Sequence, residues 1–336
     1  MGLLPSPSPL PAAFVEAFHA EAGSGAVLSF DRFMALALYH PQLGYYRQPR
    51  NRVGYAAGTD FFTASTSGRV FGELAVAAAV TLLAGRNPAD FTWVEIGAES
   101  EGGILAGVSH PFAAARTLRV GEPMGLAGNC VLVSNELFDA QPFRRLIRRG
   151  GAWHEGGVRC DQGLLAEADL GPVADPGRWP SDAAEGYRID APVAAADLAA
   201  NLAAQPWRGL FVAFDYGKAW AELAGECPEG TARAYHRHTQ SNDLVARPGE
   251  QDLTCHVCWD WIATALETGG FAPPHLEAQE AFFVHHAACY LEAALRADAR
   301  QLTERKRSLM QLLHPAHLGR KFQVMHAWRE NIQVSP

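Results

Sequence analysis

Apolar residues recur along this chain with helical spacing at its two ends and as short continuous runs in its middle, and the change between the two patterns sets out its elements. Phe14, Val15 and Phe18 share one face of a helix predicted over residues 11–22. Phe30, Phe33, Met34, Ala37 and Leu38 do the same over 29–39, with Ser29 or Asp31 as the N-cap. Pro41 ends that helix, and from Gly44 a loop rich in Gly, Arg and aromatic residues runs to Phe62. Residues 68–83, crowded with Ala and Val, read as a buried helix. Three apolar runs then follow, Phe91 to Gly97, Cys130 to Ser134 and Gly209 to Gly217, each ending in an acidic or glycine-containing turn. That is the pattern of parallel strands in an α/β sheet whose ligand crevice lies beyond the carboxyl ends. The chain accordingly divides into a helical N-terminal cap, residues 1–85, and a Rossmann-like core, residues 86–336, with an insertion around 143–205 and helices near the C-terminus.

Within the insertion, residues 143–163 alternate and carry Gly150-Gly151 and Gly156-Gly157, which predicts β-hairpins turning at the two glycine pairs. Residues 183–204, 259–268 and 277–310 read as helices, and Leu318 to Phe322 closes the pattern. No internal repeat is present. With 336 residues, 48% of them hydrophobic and 19% charged, the chain can bury a full core. A net charge of −8 argues against nucleic acid as main partner, since that affinity comes from cations neutralising phosphates. No apolar run reaches the ~18 residues that a membrane span needs, and the Pro/Ser-rich start has neither signal-peptide nor transit-peptide character. The expectation is a cytoplasmic protein that binds neither membrane nor nucleic acid.

Six scattered cysteines, at 130, 160, 227, 255, 258 and 289, point to reduced thiols. Cys255-His256-Val257-Cys258 has metal-ligand spacing that His285, His286 and Cys289 could complete, but a lone CxxC leaves half of the ligands to be guessed. No metal is expected.

Several segments recur in one order. They are Phe33 to Pro41 with Gly44-Tyr45-Tyr46, Asp60-Phe61-Phe62-Thr63 with Phe71-Gly72-Glu73, Val94-Glu95-Ile96-Gly97-Ala98 and Asn135-Glu136-Leu137-Phe138-Asp139-Ala140. Asp215-Tyr216-Gly217, Gly230-Thr231 with Tyr235 and His238, and Pro248 to Thr254 with His256-Val257 complete the set. Together these resemble the MidA (mitochondrial dysfunction protein A) family of class I S-adenosylmethionine-dependent methyltransferases. The resemblance implies a Rossmann-like methyltransferase sheet with S-adenosyl-L-methionine as cofactor. Eukaryotic members are similar to protein arginine methyltransferases acting on a subunit of respiratory complex I, so the implied partner is a protein substrate, and a homodimer is open.

The cofactor is a sulfonium, so the reaction needs an aligned nucleophile and desolvation, and no metal. An arginine acceptor adds a demand for carboxylates that hold the guanidinium. Asn135, Glu136 and Asp139 fit that demand, because a strand ending there pushes the first two into the crevice and places Asp139 one turn on. Alternatively they satisfy turn amides. Asp252, Thr254 and His256 fall on one face of an extended segment and offer a base, a hydroxyl and an imidazole. Alternatively the first two cap the helix from Trp259. On the cofactor side the candidates are Gly58, Asp60 and Thr63, from a Gly-Asp-Phe-x-Thr-like loop interrupted by Thr59, then Glu95, Gly97 and Ala98, and Glu122 for the ribose hydroxyls.

Two features depart from the pattern. The turn after the first strand, Glu95-Ile96-Gly97-Ala98-Glu99-Ser100-Glu101-Gly102-Gly103, carries Glu99 where a second glycine is expected, and Glu101 adds a further charge. This predicts weakened cofactor binding unless Gly102-Gly103 re-forms the loop. The interval from Glu95 to Asn135 is also too short for three crossovers at roughly 30 residues per βαβ unit, so at least one unit is missing. What remains there is read as a helix over 103–115 and a strand over 117–120. The chain is therefore either an enzyme or a non-catalytic homologue that keeps the fold as a protein-interaction or assembly factor.

Overall fold

The computed structural model describes residues 10–49, 52, 59–60, 68–99 and 102–331. A six-stranded sheet forms its centre, in the order His275–Ala278, Gln323–Arg329, Trp207–Asp215, Gly128–Asn135, Thr92–Ile96, Ala114–Leu118. The last four of these run parallel, and the two C-terminal strands are antiparallel. Trp207–Asp215 is central and buried on both faces, which is why its sequence is almost continuously apolar.

Helices cover both faces. On one face Arg69–Leu82 packs with Gln279–His286, Ala288–Ala297 and Glu304–Leu313 in a core that includes Phe71, Val131, Phe214, Phe283 and Val324. On the other, Val193–Ala203 and Trp259–Thr268 pack over Val94, Leu132, Phe211 and Met325. This sandwich aligns the carboxyl ends of the parallel strands along one edge and opens a crevice there.

The crossover next to the first strand is reduced further than its length suggested. Only the single 3₁₀ turn Gly103–Leu105 stands where a helix over 103–115 was expected, because Gly107, at φ 70°, and Pro111 break helical geometry. The strand occupies Ala114–Leu118, slightly ahead of 117–120, and pairs with Thr92–Ile96. The short segment 119–127 then crosses directly to Gly128–Asn135 on the other side of Thr92–Ile96, and among the described residues no further strand lies beyond Ala114–Leu118 on that edge.

A second sheet joins the N-terminal segment to the insertion. Val27–Ser29 pairs with Ala152–Asp161, which pairs with Arg144–Arg149 and Leu164–Pro172. The turn at Gly150-Gly151 is as expected, both residues having positive φ. Gly156-Gly157 instead lies inside a strand, at a register shift, and the turn falls at Gln162-Gly163. A Cβ on Gly157 would strike the carbonyl oxygen of Leu28, so the glycine admits the N-terminal strand. Two other boundaries differ. Arg188–Ala191 is a strand held by Arg144–Ile147, and Pro192 separates it from the helix Val193–Ala203. The long pattern at 277–310 breaks into three helices at Ala287 and around Asp298, with Glu277 itself on the strand His275–Ala278. Among the described residues, no helix is long and apolar enough to cross a membrane.

Candidate active site

A cavity of about 950 Å³ opens at the carboxyl ends of the parallel strands. Asn135, Glu136 and Asp139 enter it from the end of Gly128–Asn135 and the turn beyond, and Asp252, Thr254 and His256 enter from the strand Asp252–Thr254 and the residues after it. The N-terminal segment contributes Tyr39, Tyr46 and Arg52, and the first strand contributes Gly97, Ala98 and Glu99 from its turn. Glu122 borders the cavity from the segment after Ala114–Leu118, its carboxylate accepting the backbone N–H of Arg119 at 2.9 Å.

The strand end is conformationally loaded. Glu136 has φ 50°, the left-handed region that a residue with a Cβ enters at a cost of about 1 kcal/mol or more, and its N–H donates to Phe214 O at 2.9 Å. Its Oε1 accepts from Asn135 Nδ2 at 3.3 Å, which leaves Asn135 Oδ1 buried without a partner. Asp139 Oδ1 and His256 Nδ1 are likewise buried and unpartnered. Three orphaned polar atoms on residues of one cavity are expensive unless a ligand completes them.

Asp215 fixes the floor. Its carboxylate accepts the N–H groups of Phe138, Asp139 and Tyr216 at 2.9, 3.3 and 2.9 Å, which shapes the turn that presents Asp139. Burial, reinforced by the Asp215 carboxylate, pushes Asp139 well above the usual carboxylate range. The three N–H donors favour charge on Asp215, so Asp139 is the member of this pair that holds a proton. Burial also pushes Asp252 up to about 7, although its Oδ1 accepts from Tyr46 Oη at 2.8 Å. His256 is brought down to about 4, first by burial and then by Lys218 and Arg233, so its imidazole is neutral at pH 7. Tyr216 meets its ring edge-on at 5.5 Å.

On the other wall the positions are mixed. Gly97 has φ 80°, and a Cβ there would lie 2.8 Å from Leu137 Cδ1, so the turn passes directly beneath the substrate-side motif. Gly102 and Gly103 also have positive φ, and Gly103 packs against the Glu95 carboxylate, leaving no space for a side chain. Glu95 faces away from the cavity: its Oε2 accepts Ile104 N–H at 2.7 Å and burial pushes it up to about 7. Asp60 also lies behind the wall, fully buried, accepting from Tyr45 Oη at 2.7 Å and Arg237 N–H at 2.9 Å. Thr59, the residue that interrupts this motif, meets His238 Nε2 at 3.0 Å. Gly58, Thr63 and Glu101 lie outside the described residues.

Arg52, Tyr39 and Tyr46 line the cavity without having been expected as site residues. Arg52 is buried, donates to the carbonyls of Tyr45 and Gln48, and pairs with Glu99 at 3.1 Å. The charge that occupies the second-glycine position is thereby met by a cation from the N-terminal loop. Tyr39 and Tyr46 stack at 5.6 Å; both stand in the recurring segments Phe33 to Pro41 and Gly44-Tyr45-Tyr46, where nothing local marks them as cavity residues. All six cysteines are free, and His285 and His286 contact Glu277 rather than a cysteine.

No curated protein matches the chain. Among solved structures, a "likely methyl transferase" from Burkholderia thailandensis bound to S-adenosyl-homocysteine is 24% identical and superimposes with a TM-score of 0.78, over 97% of this chain and 95% of that one. A native crystal structure of an uncharacterized protein of the same superfamily and organism matches at 24% identity, a TM-score of 0.76 and the same coverage. The fold is therefore that of these proteins. Residues 116–275, which include both acidic segments of the cavity, match the family model described as "Putative S-adenosyl-L-methionine-dependent methyltransferase".

Proposed function

We propose that this chain transfers a methyl group from S-adenosylmethionine to nitrogen, and that the acceptor is the guanidinium of a protein arginine side chain. The observation that carries the reading is the convergence of Glu136, Asp139 and Asp252 with the unpartnered Nδ1 of a neutral His256 on one cavity. The cofactor's sulfonium supplies an activated methyl group. Gly97, Ala98 and Glu122 would border it, with Leu118 and Met124 offering apolar surface beside Glu122. Arg52 supplies a cation on that wall, as a methionine carboxylate requires. Glu95 and Asp60 support the reading as positioning residues, one bracing the glycine turn and the other the loop that carries Arg52. Gly58 and Thr63 keep the cofactor-side role that their motif suggests.

A cationic acceptor suits this pocket because an entering positive charge draws Asp139 and Asp252 back to their ionised forms. Glu136 and Asp139 would orient the guanidinium, Thr254 would accept one of its N–H groups, and the rings of Tyr46 and Tyr216 offer flat faces to it. His256 is placed to take the proton the nitrogen gives up. In this reading residues 1–85 cap the crevice, and the insertion around 143–205 braces that cap.

Calorimetry with S-adenosylhomocysteine tests the cofactor half, and isotopically labelled methyl transfer to arginine- and lysine-containing peptides, read by mass spectrometry, tests the acceptor half. Absence of both heat and thermal stabilisation at millimolar ligand would refute the enzyme reading, because a ligand of the native state must raise its stability. Binding followed by methylation of lysine alone would retain the enzyme and replace the acceptor.

A further inference from the structure

Away from the crevice, at the antiparallel edge of the central sheet, three ligand atoms converge. Glu277 lies on the edge strand His275–Ala278, His326 on its neighbour Gln323–Arg329, and His286 at the end of the helix Gln279–His286. Glu277 is paired across the ladder with Val324, so His326 projects from the same sheet face two residues on, and the helix covers that face. His286 Nε2 stands 2.9 Å and His326 Nε2 3.3 Å from Glu277 Oε1, and the ligand atoms of all three residues lie within 4.8 Å of one another. Around a tetrahedral zinc ion with bonds of ~2.0–2.1 Å, ligand atoms sit about 3.3 Å apart.

The geometry points to a site for a divalent cation of the zinc class, held by Glu277, His286 and His326. His285 Nδ1 is 2.5 Å from the other Glu277 oxygen, and its side chain is 60% exposed, which provides the entry path. His326 is nearly buried and the other two ligands are 20% exposed, so the cation would be largely withdrawn from water. Two imidazoles and a carboxylate are a donor set suited to zinc and its neighbours. The site ties the paired edge strands to a helix whose Phe283 stacks on Phe214 at 5.6 Å, the residue before Asp215. Its role is structural, fastening the sheet edge on which the floor of the crevice rests. The histidines that the sequence offers as partners for a CxxC thus find their own carboxylate elsewhere.

Metal-stripped, untagged full-length chain titrated with Co²⁺ should bind one equivalent and develop the visible absorption of four- or five-coordinate cobalt, and Zn²⁺ should displace it. Zn²⁺ at 100-fold above its Kd should raise Tm by roughly 5 °C. His286→Gln and Glu277→Gln should each weaken cobalt binding at least about 10-fold, and Cys289→Ser, outside the ligand set, should bind as wild type. His286→Gln, at a helix end, decides the matter if Glu277→Gln does not fold. No stoichiometric binding at about 100 µM cobalt, which would leave a hydrogen-bonded cluster only, overturns the proposal. So does binding unchanged in His286→Gln, or binding lost in Cys289→Ser.

Discussion

The two walls of the crevice have been built by different means. The wall carrying Asn135 to Asp139 and Asp252 to His256 draws its side chains from strand ends and the turns they lead into, each of them held by buried carboxylates or backbone donors. The wall carrying Gly97 to Glu122 has lost its crossover helix, and what holds it is a set of individual contacts: Glu95 to Ile104, Arg52 to Glu99, Glu122 to Arg119. The comparison teaches that a strand-end turn can keep its shape without a following helix when charges from neighbouring loops take over the helix's packing and its orphan N–H donors. The largest expected effect therefore lies where the walls touch. Gly97→Val forces a β-branched residue into φ 80° and against Leu137, and should weaken S-adenosylhomocysteine binding by more than about 100-fold, equivalent to about 3 kcal/mol, in calorimetry. Binding within threefold of wild type would show that the turn is not the cofactor's seat.

Next in size is a change confined to the acceptor wall. Glu136→Gln keeps the shape of the side chain and removes its charge, and should lower methyl transfer about 100-fold while S-adenosylhomocysteine affinity stays within twofold. An equal loss of both would move Glu136 to the cofactor wall and dissolve the distinction. Replacing Glu136 by glycine would relieve its left-handed strain as well, so the glutamine variant is the cleaner probe.

How much of this was legible beforehand follows the same division. Asn135, Glu136 and Asp139 were readable because a short apolar run that stops at a polar residue fixes both a strand and its carboxyl end. Asp252, Thr254 and His256 were readable because alternation puts them on one face, and all six residues reach the cavity. The strand Gln323–Arg329 was not readable: it is buried on both faces along most of its length, so it shows no alternation, and it follows closely on Arg320-Lys321-Phe322. Arg52 was hidden for another reason. Its importance depends on a contact with Glu99, across 47 positions of sequence, that no local pattern encodes. The shortening before Cys130 was visible as a matter of length alone, whereas the loss of the helix over 103–115 required knowing that Gly107 would take a positive φ.

The glycine turn can also be probed through pH. Glu95 is pushed up to about 7 in the fold and titrates near 4.5 when unfolded. Between these values the folded state binds more protons, so stability falls as pH rises. Glu95 alone should remove about 2 kcal/mol between pH 5 and pH 7. Urea unfolding of Glu95→Gln should show a pH slope flatter by that amount, with the variant at least as stable as wild type at pH 8. An unchanged slope would mean that the carboxylate is ionised against Ile104 and that the turn tolerates charge without help.

The smallest effect discriminates most sharply between a compensated turn and a damaged one. Arg52 is almost fully buried and Glu99 about one-third exposed, so their pair lies between the surface case, worth under about 1 kcal/mol, and the buried one. Arg52→Met should destabilise the protein more than Glu99→Gln does, since it also removes donors from the carbonyls of Tyr45 and Gln48. The double variant should be less destabilised than the sum of the singles by about 1 kcal/mol, the coupling of a half-desolvated pair. Cofactor affinity should follow the same cycle: weakened by Arg52→Met, which leaves Glu99 facing the incoming carboxylate, and partly restored when Glu99→Gln is added. If affinity in the double variant equals that of Arg52→Met alone, Arg52 meets the cofactor directly, and the glutamate in the glycine position is a bystander.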